Sequence, residues 1–213
     1  MVEGALSQGS VLDGWPAELE VGVAGVALEG EARSGDLAVF APYSLGGLAV
    51  VIDGLGHGDD AADASAIAAK VIHRYADEAP AALLARCHEA LRRSRGVVMT
   101  AAWFDLEDLE ISWAGVGNVE ARLVRGDAGY GARHDSALVL GGVVGYNLPA
   151  VRPSHTDLRT GDAVAFATDG IDADYSASLT PGLPAQRLAE RILKRHARSN
   201  DDALAAVVRY LGS

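Results

Sequence analysis

Apolar positions along the chain alternate between two regimes. Short runs with strand character are separated by alanine-rich or mixed segments in which the apolar residues recur at helical spacing. Val21–Leu28 and the run 37–43 read as two strands joined by the polar turn EGEARSGD. The apolar run 48–52 reads as a buried strand that ends abruptly on Asp53, followed by Gly54, Gly56, His57 and Gly58. From Asp59 to Asp77, Ile67, Val71, Ile72 and Tyr75 recur at helical intervals among alanines. Pro80 then opens a second helix, Ala81–Arg93, with Leu83, Leu84, Cys87 and Leu91 along one stripe.

The period returns to that of strands from Gly96. Three strands are expected up to Gly126, as an antiparallel meander with an acidic turn at Asp105–Asp108 and a Gly-Asn turn at Gly115–Asn118. Residues 127–160 suggest short strands and a glycine-rich loop. Asp162–Thr168 is another apolar run that ends on an aspartate and a glycine, Asp169 and Gly170. A helix follows at Leu183–Ala197, its last turns carrying Lys194 and Arg195, the sign favoured at a helix C-terminus. The run 203–211 closes the chain as a deeply buried strand, with Asp201 and Asp202 at its mouth. Residues 1–19 show little periodicity and read as an irregular segment. No repeat or linker divides the chain, so residues 1–213 are expected to form one domain.

Composition narrows the function classes. With 49% hydrophobic residues a large core can form, and a formal charge of -11 disfavours nucleic acid or an anionic membrane as partner. Cys87 is the single cysteine, which rules out a disulfide framework or a thiolate zinc site and suits a reducing cytoplasm. No run approaches a membrane span and no signal-peptide pattern opens the chain, so a soluble cytoplasmic protein is expected.

The candidate chemistry lies in carboxylates at strand ends. Asp36, Asp53, Asp169 and Asp201 each sit at one end of an apolar strand, and two of them precede glycine. Singly, each reads as a turn or helix-capping residue. Together they are a set of hard oxygen donors suited to Mg²⁺ or Mn²⁺, and buried carboxylates of this number need a positive charge nearby.

The ordered motifs SGD, VIDGLGHG, ATDGI and NDDALAAVV resemble those of the metal-dependent protein phosphatase (PPM) family, in its bacterial SpoIIE branch, over about residues 20–211. The resemblance implies an α+β fold, a four-layer α-β-β-α sandwich of two antiparallel sheets flanked by helix pairs, holding two Mn²⁺ or Mg²⁺ ions. It implies that Asp53 bridges both metals with the Gly54 carbonyl as a further ligand, that Asp169 and Asp201 hold the second ion with support from Asp202, and that Asp36 acts directly or through water. Paired cations of this kind activate a water and clamp the phosphoryl group, so no protein nucleophile is needed. Asp53 and Asp169 would then carry catalysis, with His57 as proton donor to the leaving alkoxide or, alternatively, only a shaper of the loop. Arg33 is the nearest candidate for binding the substrate phosphate.

The implied activity is removal of phosphate from serine or threonine of a regulatory protein, an anti-sigma-factor antagonist or a STAS-domain stressosome protein, by a chain expected to be monomeric. The alternative is a catalytically inactive module of the same fold that sequesters that partner. Mutually repelling carboxylates would bring such a module no advantage. A nucleotide-binding loop is disfavoured, because no lysine lies near the glycines of 54–58.

Overall fold

A computed structural model describes residues 13–127 and 135–212. The first sheet contains β1 (Leu19–Val26), β6 (Glu120–Val124), β7 (Asp135–Ser136), β10 (Ala163–Ala167) and β11 (Ala203–Tyr210) in the order β1-β11-β10-β6-β7. The second contains β2 (Asp36–Tyr43), β3 (Gly46–Gly54), β4 (Val97–Asp105), β5 (Glu110–Val116) and β8 (Val139–Leu140) in the order β2-β3-β4-β5-β8, with β9 (Ser154–Asp157) also pairing with β5. All pairings are antiparallel except the short β5–β8 contact.

Three apolar layers hold this arrangement together. Between the sheets, Phe40, Phe104, Trp113, Leu123, Phe166 and Val208 interdigitate. Over the outer face of the second sheet lie α1 (Asp59–Arg74) and α2 (Pro80–Leu91), which bury Ile72, Leu84, Cys87 and Leu91 against Val50, Ile52 and Met99. The outer face of the first sheet is covered by α3 (Ala185–His196), through Leu188 and Ile192, and by a short 3-10 helix, Ala173–Ser178, whose Tyr175 is buried. The expected α-β-β-α sandwich is present, and the layer over the first sheet is one α-helix with a 3-10 turn. β3 and β4 are buried along nearly their whole length because each is covered on both faces, which explains their continuous apolar runs.

Two expected neighbours are separated. β1 and β2 do not pair, and the polar segment between them carries the chain from one sheet to the other. The expected meander also divides: β4 and β5 form a hairpin in the second sheet, but the Gly-Asn turn sends β6 into the first, where it pairs with β10. The N-terminal segment expected to be irregular lies outside the described residues up to position 12. Beyond it, Trp15 packs edge-on against Phe40 at 5.5 Å, and its indole N–H donates to the Leu19 carbonyl at 2.7 Å. Part of the 127–160 region, residues 128–134, also lies outside the described residues. Among the described residues no helix is long and apolar enough to cross a membrane.

Candidate metal centre

The two sheets bring their strand ends together at one edge of the sandwich. Antiparallel pairing of β2 with β3 sets Asp36 directly opposite Asp53, so both carboxylates rise from the same face of the second sheet. Asp169 follows the end of β10, and Asp201 and Asp202 precede β11 in the first sheet. β10 and β11 are hydrogen-bonded neighbours, so these turns share one end of that sheet.

The electrostatics of the two central aspartates reflect the convergence. Burial, then the charge of Asp53, with Asp202 and Asp169 adding to it, push Asp36 up to about 8, against one opposing influence, a hydroxyl hydrogen bond from Thr168. Burial, then Asp169, Asp201 and Asp202, push Asp53 up to about 7. No arginine or histidine offsets either shift. Carboxylates that raise one another's proton affinity in this way lack a counter-charge.

Most of these carboxylates have a hydrogen-bond partner. Asp36 Oδ2 accepts the Thr168 hydroxyl at 2.7 Å, and Asp169 Oδ2 accepts from the Asn118 side-chain amide at 2.8 Å. Both Asp202 oxygens are engaged by backbone, Oδ1 by the Leu28 N–H and Oδ2 by the Gly35 N–H, each at 2.7 Å. Asp201 Oδ1 accepts the N–H of its neighbour Asp202 at 2.9 Å. Asp53 forms no side-chain hydrogen bond among the described residues. No three His, Cys, Asp or Glu side chains among them are already drawn into a ligating cluster. The acidic groups are near enough to perturb one another and are held individually by their own donors. A half-buried aspartate without a partner, ringed by carboxylates, nonetheless fits a hard divalent cation, and the donor set is all oxygen.

The backbone here is packed to a tolerance that only glycine permits. A Cβ on Gly54 would lie 2.3 Å from the Ala61 carbonyl oxygen, and one on Gly170 would lie 1.9 Å from the Asp202 carbonyl oxygen. The Gly35 carbonyl accepts both the Gly54 N–H at 3.1 Å and the Ser65 hydroxyl at 2.5 Å, which fixes the Asp36 turn against the Asp53 turn and α1.

The structure sorts the candidate residues. Asp36, Asp53, Asp169 and Asp201 lie in one mutually interacting group, with Gly54 in its wall. Asp202 belongs to the same group, as a buried anchor that ties the β1–β2 segment to the mouth of β11, whereas Asp201 accepts only from the N–H of Asp202. His57 is not directed at the carboxylates: its Nδ1 meets Glu31 Oε1 at 2.5 Å and the ring is largely exposed. Arg33 Nη1 donates to Asp63 at 2.8 Å and lies 3.5 Å from Asp59, so its charge is shared with the start of α1. Thr168 and Asn118 join the acidic group although the strand-end pattern of aspartates does not point to them. The signals were present, one residue before Asp169 and in the Gly-Asn turn, but only the crossover of β6 between sheets brings Asn118 to Asp169.

Comparisons with known proteins agree with this geometry. Residues 46–213 match the family described as Stage II sporulation protein E (SpoIIE). Phosphoserine phosphatase RsbX of Bacillus subtilis (strain 168) is 26% identical over 168 residues, spanning 77% of this chain and 80% of that protein. Among solved structures, a chain from work on the bacterial stressosome as a modular system adapted to control secondary messenger signalling superposes with a TM-score of 0.80 at 27% identity, covering 90% of this chain and 99% of that one. RsbX in complex with magnesium superposes with a TM-score of 0.79 at 21% identity, covering 91% and 96%. A sandwich with acidic strand ends, a family match across most of the chain and these structural relatives lead to one conclusion: the chain belongs to the SpoIIE family of PPM-type protein phosphatases.

Proposed function

We propose that this protein hydrolyses phosphoserine or phosphothreonine on a regulatory protein of a stress-signalling cascade, working as a single catalytic domain with divalent cations at the strand-end aspartates. The observation that carries the reading is the pair Asp36, buried, and Asp53, half-buried, set opposite each other and raised to about 8 and about 7 by burial and neighbouring carboxylates. Such a pair is costly to a fold unless a cation or a reaction makes use of it. The RsbX relative, named a phosphoserine phosphatase, and the stressosome neighbour support the activity and the setting.

Asp53, Asp169, Asp201 and the Gly54 carbonyl would hold the ions, two Mn²⁺ or Mg²⁺, with Asp36 acting directly or through water. When bound, such ions supply Lewis acidity toward the phosphoryl oxygens and the attacking water. The chain's own groups set the positions. The Thr168 hydroxyl donates to Asp36 and favours its charged form, and the Asn118 amide holds Asp169 through Oδ2. Asp202 holds two loops in register through their N–H groups. The partner is proposed to be a phosphorylated STAS-domain or anti-sigma-antagonist protein.

The test is phosphate release from p-nitrophenyl phosphate and from a phosphoserine peptide with Mn²⁺, with Asp169→Asn as control. Wild type should exceed the control by about a hundredfold or more. Equal release by the two would overturn the enzymatic reading and favour a binding module.

A further inference from the structure

The outer surface of the α1–α2 pair departs from the charge of the whole molecule. On a chain of net charge -11, the segment 70–95 carries Lys70, Arg74, Arg86, Arg92, Arg93 and Arg95 against Asp77, Glu78 and Glu89. Between the two helices runs a groove of about 520 Å³, floored by Val71, Tyr75 and the exposed Ala85 and Ala90. Its volume falls in the range of ligand-binding clefts.

The carboxylates near it are already occupied. Glu78 takes the Arg86 Nε–H, with both oxygens at 2.6 and 2.7 Å, and Glu89 is paired with Arg92 at 3.2 Å. Asp77 is turned to the β2–β3 turn, where its Oδ1 accepts the Ser44 N–H at 2.7 Å. Arg86 is further fixed over the Tyr75 ring, 4.2 Å from its centroid. Of the cations that line the groove, Lys70 and Arg74, both exposed, make no ion pair with any described residue, with Arg74 lying 5.4 Å from the same ring. Two uncompensated cations thus flank an apolar floor. They stand roughly 16 to 22 Å along α1 from Asp59, at the helix end remote from the carboxylate centre.

We infer that this groove docks an acidic amphipathic helix of a partner protein, its carboxylates meeting Lys70 and Arg74 and an aliphatic side chain seated on Val71, Ala85 and Ala90. Charge complementarity selects the occupant. Cations left unpaired on an acidic molecule attract an anionic segment and repel a basic one, and two packed helices present a groove into which a third helix can pack its ridge. A short anion alone would leave the apolar floor uncovered. Aromatic stacking of a nucleobase is blocked because Arg86 already covers the Tyr75 face.

The test uses a fluorescent helix-forming peptide of about 14 residues with Glu on one face and Leu on the other, its Lys-for-Glu counterpart, and the full chain as wild type and as Lys70→Glu/Arg74→Glu. Neither position belongs to the metal centre, so p-nitrophenyl phosphate turnover and the circular dichroism spectrum should match between the two proteins. Fluorescence anisotropy should show the acidic peptide binding wild type, more weakly as salt rises from about 50 to about 300 mM, with affinity reduced about tenfold or more in the double variant. Absence of binding to wild type, equal binding to both proteins, or equal binding of the Lys-for-Glu peptide overturns the inference. So does wild-type binding to phosphatidylglycerol vesicles, or self-association in sedimentation, that is lost in the variant while the peptide does not bind. Peptide binding without phosphate release would count against the phosphatase reading and leave the groove standing; phosphate release without peptide binding does the reverse.

Discussion

At the scale of single residues, proton affinity and hydrogen-bond partners separate groups that look alike in the sequence. Asp36 and Asp53 hold protons in the folded state that the unfolded chain releases near its ordinary carboxylate pKa, so the folded form binds more protons. In chelator-treated protein the contribution of these two groups to stability is therefore fully present below about pH 4 and is lost as pH rises towards 8, by up to roughly 1.4 kcal/mol per pH unit for each group. Urea unfolding at pH 5.5 and 8 in the presence of EDTA measures this slope, and Asp36→Asn, which can still accept from Thr168, should flatten it. Asp202 contributes through its hydrogen bonds. Asp202→Ala leaves the Leu28 and Gly35 N–H groups without their acceptor and should cost about 2 to 4 kcal/mol in the same denaturation experiment. His57 faces Glu31, so His57→Ala should leave kcat within a few-fold of wild type with its pH profile unmoved. A proton donor would show a loss of about a hundredfold or more.

At the scale of elements, the β2–β3 register and the fit of α1 against β3 position the chemistry. Pairing of Asp36 with Asp53 depends on the antiparallel alignment of the two strands, and a slip of one residue would turn one carboxylate to the opposite face. The helix begins close beneath Gly54, whose missing side chain lets the Ala61 carbonyl approach. Gly54→Ala should therefore push α1 away from β3, lower stability by about 1 to 3 kcal/mol, and remove any rise in melting temperature on adding Mn²⁺, read by thermal unfolding with and without the ion. The helices themselves were legible in the sequence, because their apolar stripes and the proline at the start of α2 are local signals. The sheet assignments were not. A strand with a period of two looks the same whichever sheet it joins, so the changes of sheet after β1 and after β5 left no mark on the pattern.

At the scale of the whole molecule, an acidic sandwich gathers Asp36, Asp53, Asp169, Asp201 and Asp202 at one edge and holds the exposed Lys70 and Arg74 on the far part of the α1–α2 pair. A cation that binds the folded protein and not the unfolded chain stabilises it by mass action, by about 2.7 kcal/mol when present at a hundred times its dissociation constant. Mn²⁺ should thus raise the melting temperature of wild type and have little effect on Asp53→Asn. The sequence by itself determined the α+β class, the run of strand-end aspartates, their oxygen-donor chemistry and, through four motifs in order, the family, because each is written in local pattern or in linear order. Only the tertiary structure decided that Asn118 and Thr168 attend the acidic group, that Asp202 ties down the distant Leu28 and Gly35 N–H groups while Asp201 accepts only from its neighbour, and that His57 and Arg33 turn to Glu31 and Asp63. Those outcomes depend on which strand ends meet across the two sheets, and contacts between residues far apart in the chain are fixed by packing of the three apolar layers, about which neighbouring residues carry no information.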